Sequence, residues 1–268
     1  MEDILLKIAT KTKERIALAR TEVSAAELKD RIECRKSREK EENRPLPDFE
    51  KALQRPGMSF ICEVKKASPS KGLIAPDFPY VQIAKEYEAA GAAAISCLTE
   101  PYWFLGADRY VEEITEEVRI PVLRKDFTVD DYMILQARAL GASAVLLICA
   151  ILSDTQLKEY RLLAEELGMQ ALVEAHDEEE VKRALESGAK IIGVNNRDLR
   201  TFTVNMENSI RLRNLAPKDK IFVSESGIQT NADIRKLYDN GVDAVLIGET
   251  LMRSSDKARM LRELNEHD

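Results

Sequence analysis

One unit recurs along this 268-residue chain: a charged amphipathic segment, a glycine, a short connection and an apolar run. It reads EAAGAAAISCL, RALGASAVLLI, EELGMQALVE, ESGAKIIGV and DNGVDAVLI, with Gly91, Gly141, Gly168, Gly188 and Gly241 in the equivalent place. Glycine just past a helix adopts the left-handed conformation that closes it. The runs that follow are rich in Val, Ile and Ala, the composition of parallel strands buried on both faces.

Adding the strands without that glycine brings the count to about eight, at 60–65, 94–98, 121–125, 144–148, 170–174, 191–195, 221–224 and 244–247. Helical patterns such as VQIAKEYEAA and DTQLKEYRLLAEEL separate them. Strand and helix alternating at this spacing mean parallel strands joined by crossover helices. Eight such units predict an α/β fold of one closed (β/α)8 barrel, a TIM barrel. A doubly wound open sheet is the alternative, but no GxGxxG follows the first strand. Residues 56–268 form the barrel in this reading. Residues 1–55 form an N-terminal helical extension packed on it, with too little apolar surface for a core of its own.

The net charge of −7 and the pI of about 5.2 disfavour nucleic acid as a partner, while leaving room for a local basic pocket that holds a small anion. No apolar run is long enough to span a membrane, and the charged N-terminus has no signal-peptide core, so the expected location is the cytoplasm. Cys62, Cys97 and Cys149 lie in apolar strands, and no cysteine pair, Cys34 included, has CxxC spacing. The two histidines, His176 and His267, are too few for a zinc site or a Ser-His-Asp triad.

Barrel enzymes place their chemistry at the C-terminal ends of strands. The first strand and its loop read FICEVKKASPSKG. By period-two alternation Phe60, Cys62 and Val64 share an apolar face, while Ile61, Glu63 and Lys65 share the other. The same end position gives Lys125 on strand three, Glu174 on strand five, and Asn195 with Arg197 beyond it on strand six. Ser226 and Gly227 end strand seven; Gly248 and Glu249 end strand eight. Any one of them could be a solvated strand end. Closure into a barrel would crowd them all at one mouth, where like charges perturb one another. Gly227 and Gly248 would let backbone N–H groups approach an anion, and GETLMR reads as a short helix with its N-terminus toward it.

In order along the chain, ICEVKKASPSKG, PVLRKDF, ALVEAHDEEE, GVNNRDL, VSESGI and LIGETLMR resemble the indole-3-glycerol phosphate synthase family, over nearly the whole length. The resemblance implies the substrate 1-(2-carboxyphenylamino)-1-deoxyribulose 5-phosphate, the products indole-3-glycerol phosphate, carbon dioxide and water, and no metal or organic cofactor. Acids and bases suffice for that chemistry, because ring closure leaves an iminium-like nitrogen that accepts the electrons of the departing carboxylate. Lys125 is then the general acid and Glu174 its partner for later proton removal. Lys65 holds substrate anions and serves as a second acid, Glu63 orients Lys65, and Asn195 and Ser226 fix the folded-over substrate. Arg197 meets the substrate carboxylate or an ion-pair partner on the rim. Phe127 and Leu147 line the aromatic pocket. Ser68 and Lys71 sit on a mobile first loop, and His176 is a rim residue. The partner is a phosphorylated small molecule, and the chain a monomer or weak homo-oligomer. Two rivals stay open: a Schiff-base lyase or aldolase using Lys65 or Lys125 as nucleophile, which borohydride trapping would reveal, and a non-catalytic phosphate-binding barrel.

Overall fold

The computed structural model describes residues 4–198 and 201–266. Eight parallel strands close into a barrel: β1 (Ser59–Val64), β2 (Ala94–Leu98), β3 (Val122–Lys125), β4 (Ala144–Ile148), β5 (Gln170–Ala175), β6 (Ile191–Asn195), β7 (Ile221–Glu225) and β8 (Ala244–Ile247). Consecutive strands are neighbours, and β1 pairs with β8 to complete the ring, Ile61 opposite Leu246. The five repeat glycines all take positive φ, between 79° and 97°, as a helix-closing position requires.

Three helices precede the barrel: α1 (Ile4–Glu22), α2 (Ala25–Glu41) and α3 (Phe49–Leu53). Crossovers follow as α4 (Tyr80–Ala89), α5 (Asp108–Glu117), α6 (Asp131–Ala139), α7 (Asp154–Glu166), α8 (Glu178–Glu186), α9 (Glu207–Arg213) and α10 (Asn231–Asp239). Two more, α11 (Glu249–Arg253) and α12 (Lys257–Asn265), end the chain. Their starts are written in the sequence. Ser24 and Glu27 form a reciprocal capping box on α2, and Ser153 with Gln156 does the same for α7.

Alternation splits the strands into two cores. Phe60, Cys62, Val64, Cys97 and Val145 face the helical layer. Ile61, Leu123, Leu146, Leu172, Ile191, Val223 and Leu246 fill the barrel interior. The N-terminal extension does more than lie on the outside, because Leu5, Ile8, Phe49 and Leu53 join the interior cluster. Ile16, Leu28 and Ile32 pack with Tyr132, Met133 and Leu135 of α6 in a third cluster. A bidentate ion pair from Arg15 to Asp126, 2.9 Å to each oxygen, fastens α1 beside the end of β3. One small element was not legible: Ala67–Ser68 and Gly72–Leu73 pair as a hairpin in the loop after β1.

Candidate active site

The C-terminal mouth of the barrel holds a cavity of about 900 Å³. Glu63, Lys65, Lys125, Glu174, Asn195 and Ser226 all line it, as do Ser68, Phe127, Arg197, Gly227, Gly248 and Glu249. Leu147 does not. It points outward into the helical layer, while its neighbours Leu146 and Ile148 line the cavity. The expectation for Leu147 is therefore corrected by strand parity. On a strand buried on both faces, each side chain is apolar and composition carries no sign of which way it points.

Lys125 sits at the centre of the charges. Its Nζ lies 3.2 Å from Glu225 Oε2 and 3.6 Å from Glu174 Oε2. Glu63, Glu174 and Glu225 expose only 4, 2 and 1 % of their surface. Burial opposes the charge on Lys125, but Glu225, Glu174 and Glu63 overcome it and hold the ammonium pKa well above its ordinary range. Burial would likewise raise Glu174. Lys125, His176 and Asn195 outweigh burial there and draw it down to about 2. Glu225 goes the other way: burial and the nearby Glu174, opposed by Lys125, push it up to about 7.

Glu225 is the residue that sequence reading missed. It is in phase with the interior residues Ile221 and Val223, so IFVSE carried the signal, but the reading passed over it to the loop residues Ser226 and Gly227. Room for its carboxyl comes from Gly193 across the β6–β7 pair, where a Cβ would stand 2.3 Å from Glu225 Oε1. Gly248 makes a similar space. A Cβ there would meet Glu63 Oε1 at 2.2 Å and Lys65 Nζ at 2.8 Å, so this glycine seats the Glu63–Lys65 ion pair.

Around this centre, Asn195 Nδ2 donates to Glu174 Oε1 at 3.4 Å, and Asn195 Oδ1 accepts from the Arg197 backbone at 3.1 Å. Arg197 Nη1 donates to the Phe202 carbonyl at 3.2 Å. Ser226 and Gly227 take φ of 71° and 89°, a left-handed pair where β7 runs into its loop. Glu249 contacts Arg253 at 3.0 Å and Lys71 of the first loop at 3.4 Å. His176 is not among the cavity-lining residues. It stands behind Glu174, its Nε2 3.3 Å from Glu174 Oε1. The cavity lining includes the apolar side chains Leu5, Ile8, Phe104, Phe127, Leu146 and Ile148. It also includes Lys65, Ser226, Gly227 and the start of α11. Such a site can bind an anion beside an aromatic group and move protons between lysine and carboxylate. Among the described residues, no cluster of His, Cys, Asp or Glu is arranged to hold a metal.

Comparison with known proteins gives the family of the chain. The family model described as indole-3-glycerol phosphate synthase matches residues 5–264. The indole-3-glycerol phosphate synthase of Ruminiclostridium cellulolyticum is 55 % identical over 261 residues, covering 97 % of this chain and 98 % of the relative. That of Endomicrobium trichonymphae is 56 % identical over 263 residues, covering 98 % of this chain and 100 % of the relative. Among solved structures, thiamine phosphate pyrophosphorylase from Pyrococcus furiosus superposes with a TM-score of 0.60 at 16 % identity, over 81 % of this chain and 96 % of that one, a likeness of fold alone. The family match over nearly the full chain, with relatives above half identity end to end, establishes that this chain belongs to the indole-3-glycerol phosphate synthase family.

Proposed function

We propose that the chain converts 1-(2-carboxyphenylamino)-1-deoxyribulose 5-phosphate to indole-3-glycerol phosphate, carbon dioxide and water, and that the charged cluster around Lys125 carries the proton transfers. The aromatic carbon bearing the carboxylate attacks the ketone carbon, and Lys125 protonates the ketone oxygen as the bond forms. The iminium-like nitrogen then accepts the electrons released as carbon dioxide departs. Finally the hydroxyl leaves as water and Glu174 takes the ring proton, giving the aromatic indole. The observation that best supports these roles is the placement of Lys125 and Glu174 at ion-pair distance, 3.6 Å, in the lining of the same cavity.

The remaining residues divide the substrate between them. The apolar lining residues, with Phe127, Leu146 and Ile148 in place of Leu147, receive the carboxyphenyl ring. Gly227, Gly248 and the backbone at the start of α11 receive the phosphate. Glu63 orients Lys65 through their ion pair, and Lys65 meets the substrate anion and serves as the second acid. Asn195 and Ser226 fix the folded-over geometry, Arg197 faces the substrate carboxylate, and Glu225 holds Lys125 in place. Ser68 and Lys71 belong to the loop that closes over the site, with Glu249 as its ionic contact on α11. Residues 56–268 are the catalytic barrel, and residues 1–55 complete it by contributing Leu5 and Ile8 to the cavity.

The decisive experiment mixes purified, EDTA-treated protein with the carboxyphenylamino substrate and follows indole fluorescence. Turnover without added metal is expected. Turnover that only added metal restores would overturn the acid–base mechanism, and an imine trapped by borohydride would favour the Schiff-base reading.

A further inference from the structure

Two buried carboxylates, Glu174 and Glu225, share the single ammonium of Lys125, yet among the described residues Glu174 alone has further polar contacts. Glu174 Oε1 accepts from Asn195 Nδ2 at 3.4 Å, and His176 Nε2 lies 3.3 Å from it, an ion-pair contact without hydrogen-bond alignment. Glu225 has neither oxygen hydrogen-bonded among the described residues, and Lys125 at 3.2 Å is its ion-pair contact. Two carboxylates so close to one cation cannot both ionise freely, so one of them tends to keep a proton near neutral pH.

His176 is held in place for this contact. Its Nδ1 lies 3.0 Å from Glu180 Oε2, and its backbone N–H donates to the same oxygen at 2.8 Å. Its carbonyl accepts from Asn208 Nδ2 at 2.9 Å. With Nδ1–H donated to Glu180, the ring presents Nε2 to Glu174, and when doubly protonated it presents a cation. We propose that His176, clamped by Glu180, is a positioning residue that decides which of the two carboxylates beside Lys125 stays ionised, leaving Glu174 free to accept a proton and Glu225 to carry one. This rests on the role of Glu174 as the base.

The groups facing the ring bear out the sign. Glu174 on β5 and Glu180 on α8 are both acidic; burial works against the ring's charge, but these two overcome it and raise His176 to about 10. Asn208 of α9 is neutral, and Cys149 beyond β4, which donates Sγ–H to the Glu180 carbonyl, has its thiol pushed up by burial. Lys125 of β3 pairs with Glu174 at 3.6 Å and with Glu225 of β7 at 3.2 Å, which links the ring's carboxylate partner to the second one. Among the described residues, the ion-pair contacts of Glu174 are Lys125 and His176.

The test is kcat/KM against pH, from about 5 to 9, for the unaltered protein, His176→Gln and Glu180→Gln, with melting temperatures measured in parallel. Without the imidazolium, Glu174 competes with Glu225 for the proton and must shed it at higher pH. His176→Gln is expected to lose about tenfold or more near pH 6 and to recover most of it above pH 8, since a one-proton limb changes tenfold per pH unit. Glu180→Gln, which leaves the ring in place, should shift the same limb less. A loss of equal size at every pH, or none, overturns the proposal, whatever the melting temperature does. Glu174→Gln separates the two levels. Near-normal turnover in that variant removes the base assignment and this proposal together. An inactive Glu174→Gln beside a pH-independent His176→Gln overturns this proposal alone.

Discussion

Lys125 Nζ stands nearer to Glu225, at 3.2 Å, than to Glu174, at 3.6 Å, so the proposed acid is anchored by one carboxylate and neighboured by another. Lys125→Ala should lower the single-turnover rate by about 10²–10⁴-fold, the worth of a positioned proton donor. It also leaves Glu174 and Glu225 without their shared cation. Their folded pKa values should then rise, and stability should fall more steeply as pH rises from about 5 to 8 than in the unaltered protein. Near-normal single-turnover rates in a folded variant would sink the assignment.

Glu225 gives a second pH signature. Its folded pKa of about 7 lies above the ordinary 4.5. Between those values the native state holds a proton that the unfolded chain has released. The stabilisation is full below 4.5 and is lost as pH rises through 7. Glu225→Gln removes this loss, so its melting temperature should gain on the unaltered protein as pH rises from about 5 to 8, by a few degrees at the upper end. Turnover should fall most above pH 7, where the ionised Glu225 carboxylate pairs with Lys125. A melting-temperature difference that does not change with pH would contradict the raised pKa.

Leu147 separates packing from binding. It is fully buried in the layer between barrel and helices. Leu147→Ala should cost about 2–5 kcal/mol of stability, as large-to-small core changes do, and leave KM unchanged at a temperature where the variant is folded. Ile148, which lines the cavity, should respond in KM when shortened to Ala. Denaturant midpoints and Michaelis constants for both variants decide it.

Gly248→Ala places a methyl group where the Glu63 carboxyl and the Lys65 ammonium now meet. The ion pair must move, and both side chains leave the positions proposed for substrate contact. The expected outcome is a raised KM and a lowered kcat, together with weaker protection by inorganic phosphate against thermal unfolding. Unchanged KM and unchanged phosphate protection would take the end of β8 out of the site.

Much of this architecture was legible because two periodicities agree. The glycine-closed helices and the runs after them placed Ala94–Leu98, Ala144–Ile148, Ile191–Asn195 and Ala244–Ile247 at the bounds the barrel uses. On β1, alternation put Glu63 and Lys65 on the inner face because the opposite face, Phe60, Cys62 and Val64, is wholly apolar. That contrast is missing on β4, where Leu146, Leu147 and Ile148 are alike in chemistry and differ only in direction. Glu225 was lost differently, behind the loop residues that follow it. The docking of Leu5 and Ile8 into the mouth was illegible too, since an apolar stripe on a helix does not say what it will cover.

Gly193 carries a constraint that reaches beyond a single molecule. Because a methyl group there would overlap the Glu225 carboxyl, the two positions are tied in the order in which a lineage can change them. A residue larger than glycine at 193 must push the Glu225 carboxyl from its place beside Lys125 unless the acid at 225 has already shortened or gone, and either change loosens the anchor of Lys125. Random drift would therefore meet a cost in activity from both directions. A combinatorial library varying 193 and 225 together should return strong sign epistasis, with survivors concentrated on glycine opposite glutamate.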